Sequence, residues 1–224
     1  MRIQTVTSLS LTDHWAGVKT HDVAMMQGEL DGACGPYALM NALMLSGLLT
    51  ERQVRKLWDL PADGRTILGK WSRATDAMIT SGCEVEDLKE LLRGVQRQVD
   101  KTKALEVVPI ELSGRTEGKL LGGLSAVQEW IDRNDQPVLV VLQWNKRDAH
   151  WAVVVGSQYH KRGDKELLSN LLVVDSSQVS SRVQAWNAVL GLGPINAKRL
   201  HYTVPSDDES IPCDLIEAFG IVKP

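Results

Sequence analysis

The run Tyr37-Ala38-Leu39-Met40-Asn41-Ala42-Leu43-Met44-Leu45 is apolar on nearly every side of a helix, with Asn41 its one polar interruption. A helix that is apolar all round has no face to offer water, so other elements must enclose it. This chain therefore has to fold around residues 37–45. Gly35-Pro36 supplies a proline suited to the first helical turn and Ser46-Gly47 supplies a stop, which puts Cys34 at the amino end of the helix. With 224 residues, 43% of them hydrophobic, the chain has enough apolar material to build that enclosure as one domain spanning 1–224.

Further helices are expected in the first half. Thr50-Glu51-Arg52-Gln53 matches a capping box and opens a short helix through Leu57 and Trp58, ended by Pro61. Residues 84–99 place Val85, Leu88, Leu91, Leu92 and Val95 on one helical face. The second half changes period. Residues 105–112 read as a strand whose proline suggests an edge or a bulge. Gly114 to Gly123 is the most loop-like segment, and Ser125 then caps a helix through Trp130 and Ile131. Three β-rich runs follow at Val138–Leu142, Trp151–Val155 and Leu171–Val174. Loops at 145–148 and 156–169 are short enough to make them antiparallel neighbours. A last strand is expected around His201–Val204, before a tail ending Phe219-Gly220-Ile221-Val222. A helical half (about 1–100) followed by an antiparallel sheet half (about 105–224) is an α+β arrangement.

A formal net charge of −3 and the lack of any long basic run argue against a nucleic-acid or membrane-surface footprint. Cys34, Cys83 and Cys213 are odd in number and far apart, which fits neither a disulfide framework nor a metal site and points to a reducing compartment. The N-terminus carries no apolar stretch of signal-peptide length, and no run reaches the eighteen or more residues of a membrane span. The expectation is a cytoplasmic protein, or one exported without a cleavable signal; its oligomeric state stays open.

The position of Cys34 suggests chemistry. A thiol attacks as the thiolate, and the free thiol with its pKa near ~8.5 is mostly protonated at neutral pH. The unpaired N–H groups and positive dipole end of a helix favour the anion, and a neighbouring imidazole does more. His150 is the best candidate, because Asp148-Ala149-His150-Trp151 sits where a loop enters an apolar strand. His14, His21, His160 and His201 lie in less suitable contexts. A catalytic imidazole also needs a group that fixes its ring and tautomer. Asp175 ends the apolar run Leu172-Val173-Val174 and could do this if the two runs are neighbouring strands. Taken singly, Cys34 reads as a core thiol, His150 as a strand-edge residue and Asp175 as a turn former. Their order and their placement at element junctions favour the catalytic reading.

The order Gln27…Cys34-Gly35-Pro36…His150-Trp151-Ala152-Val153-Val154-Val155-Gly156…Val173-Val174-Asp175-Ser176 resembles papain-fold cysteine peptidases, and most closely the bacterial branch of double-glycine leader peptidases. The resemblance covers about twenty positions. It implies a papain-like fold, with the buried nucleophile helix packed on an antiparallel sheet. Residue by residue it makes Cys34 the nucleophile, His150 the general base, Asp175 the orienter of the imidazole and Gln27 an oxyanion-hole donor. It further implies hydrolysis of a peptide or isopeptide bond in a protein or peptide substrate, with no metal or organic cofactor. The pattern differs at Ser176, where many such enzymes have proline, and residues 51–104 have no counterpart. The same three groups also serve deamidases and transglutaminase-like acyl transferases, and a catalytically inactive binding module is the remaining alternative.

Overall fold

The computed structural model describes residues 1–11, 16–18, 21–22, 25–26, 33–58, 82–99, 105–112, 117–146, 148–178, 186–193, 198–205 and 209–222. Four short strands come first: β1 (Arg2–Thr5), β2 (Leu9–Leu11), β3 (Ala16–Val18) and β4 (His21–Asp22). The helices α1 (Cys34–Leu45), α2 (Glu51–Trp58) and α3 (Val85–Val99) follow, then β5 (Glu106–Pro109) and α4 (Glu117–Asn134). Strands β6 (Val138–Gln143), β7 (Ala149–Arg162), β8 (Lys165–Val174), β9 (Ala188–Leu192), β10 (Leu200–Val204) and β11 (Glu209–Val222) complete the chain.

These last six strands close on themselves. The neighbour order β7-β6-β11-β10-β9-β8 returns to β7 through the β7–β8 pairing, and every pairing is antiparallel. The result is a six-stranded antiparallel barrel, to which β1 adds on β7 and β5 adds on β11; β2, β3 and β4 form a separate small sheet. This corrects the expected papain-like α+β architecture of a helical half packed on an open sheet. The first half also contributes strands, and the second half is a closed barrel.

The physical reason lies in strand length. The segment 156–169, expected to be a loop, continues β7 and β8 to a tight hairpin in which Arg162 pairs with Lys165. Gly163 takes φ +63° at the first central position of that two-residue turn, a conformation that suits the twist of the flanking strands and that glycine adopts without steric cost. Both long strands, β7 and β11, carry register shifts, at Val154/Gly156, Gln158/Tyr159 and Leu215/Glu217. Such bulges bend a strand and increase its twist, as closure requires. Closure in turn removes the sheet edges that an open arrangement would leave.

The enclosed helix is as expected. Every residue of α1 except Tyr37 is buried, and the helix lies against β6, β7 and α3. Val138–Leu142 are buried without alternation, because both faces of β6 are covered. Residues from both halves of the chain, among them Leu43, Leu91, Val140 and Leu172, belong to one continuous core. The capping box at α2 forms: Gln53 N–H donates to Thr50 Oγ1 at 3.3 Å and Thr50 N–H donates to Gln53 Oε1 at 2.8 Å. Helix α4 begins at Glu117, inside the stretch read from sequence as loop. Among the described residues no helix is long and apolar enough to cross a membrane.

Asn41, the polar interruption in α1, is wholly buried and has its own partner. Its Oδ1 accepts from Met25 N–H at 2.8 Å and its Nδ2 donates to Met25 O at 3.3 Å, so the amide takes the place of a paired strand residue. Asn41→Ala leaves the Met25 N–H without that acceptor and is expected to lower the unfolding free energy by about 1–3 kcal/mol in a urea titration. A loss of ~0.5 kcal/mol or less, the range of an ordinary surface change, would contradict this role.

Candidate active site

Two junctions of the barrel and the start of its enclosed helix meet at one place. Val153 pairs with Val174 across the β7–β8 hairpin, so the position after Val174 falls opposite Ala152 if that register continues. His150 is two residues before Ala152 and shares its face, since strand side chains alternate. Asp175 and His150 are thereby diagonal neighbours on one face. The hairpin register, invisible in the sequence, brings them together: His150 Nε2 lies 2.9 Å from both Asp175 Oδ1 and Asp175 Oδ2.

With Nε2 engaged by the carboxylate, Nδ1 is the nitrogen left for the thiol, and His150 is hydrogen-bonded to Cys34. The next residue on β7 adds a second contact, because Trp151 donates its backbone N–H to the Cys34 sulfur, as does Gly35 from the first turn of α1. One strand thus presents an imidazole and an N–H group to the same sulfur. Gly35 admits no side chain: a Cβ there would stand 2.7 Å from Cys83 Cβ and 3.2 Å from Trp151 Cδ1. Pro36, which has no N–H, sits where a helix leaves its N–H groups unpaired anyway.

The charges follow from these contacts. Burial acts to raise the Cys34 pKa, but the hydrogen bond and charge of His150, with the Trp151 and Gly35 N–H groups, bring it below the ordinary thiol value. Burial acts to lower that of His150, yet the charge and hydrogen bond of Asp175, aided by Cys34, push it up to about 10. Asp175 is itself buried, which opposes ionisation, but His150, the Tyr202 hydroxyl and the Ser177 N–H hold its carboxyl below the usual carboxylate range. These directions favour the charged forms of all three groups, thiol, imidazole and carboxyl, over their isolated behaviour.

Asp175 is held from several sides. The Tyr202 hydroxyl donates to Oδ2. Ser177 donates to Oδ1 through its N–H at 2.8 Å and its Oγ at 2.7 Å. Asn187 clamps the backbone of Asp175: its Oδ1 accepts from Asp175 N–H at 2.8 Å and its Nδ2 donates to Asp175 O at 2.7 Å. Asp175 therefore bonds its own turn and the imidazole together. Trp144 stacks on His150 with ring centroids 6.2 Å apart and also packs on Tyr202 at 5.2 Å. Arg199 fixes this tryptophan by donating to Gln143 O at 2.9 Å and Trp144 O at 2.8 Å, while pairing with Asp214 at 3.3 Å.

Of the four residues singled out from sequence, Cys34, His150 and Asp175 are brought together, and Gln27 lies outside the described residues. His160 is exposed and His201 bonds Ser210 Oγ at 3.0 Å, both apart from this cluster. Sequence reasoning missed Tyr202 and Ser177 as supports of Asp175. Tyr202 did leave a signal, since the alternation of β10 buries Leu200, Tyr202 and Val204, and a buried tyrosine hydroxyl usually finds a partner.

Neither protein-family models nor curated proteins yield a match to this chain. The site's chemistry therefore rests on its own geometry.

In an NMR titration the His150 ring is expected to remain imidazolium at neutral pH and to lose its proton near pH 10. In Asp175→Asn the main cause of the upward shift is gone while burial still opposes the charge, so the midpoint should fall toward or below 6.5. A midpoint unchanged by that substitution would contradict the pairing.

Proposed function

We propose that the protein is a thiol hydrolase that cleaves a peptide or isopeptide bond through an acyl-enzyme intermediate. The observation that carries this reading is His150 bonded on one side to the Cys34 thiol and on the other to the Asp175 carboxylate. Nucleophile, base and orienter in hydrogen-bonded sequence are the signature of covalent catalysis, and they recur on unrelated folds. The reading therefore does not require a papain-like architecture, although the motif order resembles that of the double-glycine leader peptidases.

In the proposed reaction the Cys34 thiolate attacks the carbonyl carbon and a tetrahedral oxyanion develops. The Cys34 backbone N–H, at the start of α1, donates to it, with Gln27 as the second donor. His150 then gives its Nδ1 proton to the departing amine, and the C–N bond breaks to leave a thioester on Cys34. The imidazole, now neutral, takes a proton from water as that water attacks the thioester. A carboxylic acid leaves and the ion pair re-forms. Asp175 holds the ring and favours its charged form throughout. Trp144 stacks on the imidazole and in this reaction would border the substrate. All three cysteines are free thiols, which suits a reducing compartment such as the cytoplasm.

The test is mass spectrometry of a peptide library incubated with wild type, Cys34→Ala and His150→Ala. Cleaved backbones with wild type, abolished by Cys34→Ala and strongly reduced by His150→Ala, are the expected result. Deamidated or amine-joined products without backbone cleavage would replace hydrolysis by amide modification. No product of any kind with well-folded wild type would overturn the enzyme reading in favour of a binding module.

A further inference from the structure

A second thiol stands beside the nucleophile. Cys83, just before α3, has its Cβ 2.7 Å and its Sγ 2.8 Å from the point where a Cβ on Gly35 would sit. Gly35 directly follows Cys34, and consecutive Cα atoms are only roughly 3.8 Å apart. Trp151 ties the two cysteines to one residue: its backbone N–H donates to the Cys34 sulfur, and its indole Nε1 donates to Cys83 O at 2.8 Å. The Cys83 thiol is half-buried and makes a weak bond, donating to Glu84 O at 3.6 Å.

We propose that Cys83 is a resolving thiol for Cys34, and that a hydroperoxide converts the pair into a reversible intramolecular disulfide that switches the nucleophile off and shields it from irreversible oxidation. The inference rests on Cys34 being the reactive thiolate of the proposed function. In the first step that thiolate attacks one peroxide oxygen and the O–O bond breaks. The other oxygen takes a proton and leaves as water or alcohol, and Cys34 becomes a sulfenic acid. In the second step the Cys83 sulfur attacks the sulfenic sulfur, an S–S bond forms and the S–O bond breaks. The Cys83 proton departs with the hydroxyl as water. Two thiols lose two electrons in all, and one peroxide bond gains them.

The surroundings of Cys83 suit this order of events. Burial, the Asp87 carboxylate, the Cys34 thiolate and the Glu84 carboxylate all push its thiol up, so Cys83 stays protonated and inert while Cys34 is charged. Conversion of Cys34 to a neutral sulfenic acid removes one of those charges and turns the neighbour into an electrophile. Cys213 provides an internal contrast. It is buried on β11, with burial chiefly responsible for a thiol pKa pushed up to about 12.

The test treats the full chain with hydrogen peroxide at neutral pH and follows thiol titre, intact mass and tryptic peptides. The expected result is loss of two of the three thiols, a linked Cys34–Cys83 peptide, and recovery of both thiols with dithiothreitol. Cys83→Ser should still label at Cys34 with iodoacetamide, but peroxide should carry its Cys34 on to sulfinic and sulfonic acid that dithiothreitol does not reverse. Wild type that reaches sulfinic acid with Cys83 still free, as fast as Cys83→Ser does, would overturn the proposal. The linked peptide in wild type decides the matter even if Cys83→Ser folds poorly. Rapid alkylation of Cys34 without any disulfide defeats this inference and leaves the hydrolase reading standing. A disulfide in a chain that cleaves no peptide supports this inference and defeats the hydrolase reading.

Discussion

A carboxylate buried as deeply as Asp175 loses its hydration, which costs several kcal/mol unless the protein replaces it. The replacement is complete here: an imidazolium, a tyrosine hydroxyl, a serine hydroxyl and a backbone N–H converge on its two oxygens. The rest of the site depends on this one charge. It draws the His150 proton onto the ring, and the protonated ring lowers the pKa of Cys34 against the opposing effect of burial. Breaking a buried pair by removing one member is far costlier than never having built it, so the polar shell of Tyr202, Ser177 and Asn187 is as much a part of the machinery as the three groups it supports.

The barrel is what makes that shell possible. Asp175 leaves the end of β8, His150 enters at the start of β7, Tyr202 lies on β10 and Asn187 sits just before β9. In an open sheet with β7 and β8 at one side, β9 and β10 need not come round to the same carboxylate. The ladders place β9 beside β8 and β10 beside β9, and the β7–β8 pairing closes the ring, so that side chains far apart in sequence reach one atom group. The enclosed helix α1, pressed on β6 and β7, then delivers its first residue to the imidazole. The enclosed helix read from the sequence and the lowered thiol pKa at its start thus come from one packing arrangement.

What could be read from the sequence was local. The all-round apolarity of residues 37–45, the cap at Thr50 and the junction positions of Cys34, His150 and Asp175 each follow from a few neighbouring residues. Barrel closure does not. The outer parts of β7 and β8, His160 to Leu167, are solvent-exposed and polar in the main, so their composition is that of a loop although their backbones pair. The Gly163-Asp164 dipeptide carried the hairpin signal, but no hydrophobic alternation flanked it to make that signal stand out. Likewise α4 runs through Gly118, Gly122 and Gly123, which argue locally for loop and are overruled by packing against the barrel. The resemblance to papain-fold enzymes misjudged the architecture, while His150 and Asp175, which it named, meet on a barrel instead; a side-chain arrangement is separable from the fold that carries it.

A thiolate at Cys34 depends on His150, and the pH-rate profile of iodoacetamide alkylation at Cys34 measures that dependence most directly. Wild type should react well below about pH 7, whereas folded His150→Ala should show a midpoint moved toward or above the free-thiol value of about 8.5. Identical profiles for the two proteins, or a Cys34 that reacts only when the chain unfolds, would make it a buried core thiol and contradict the account.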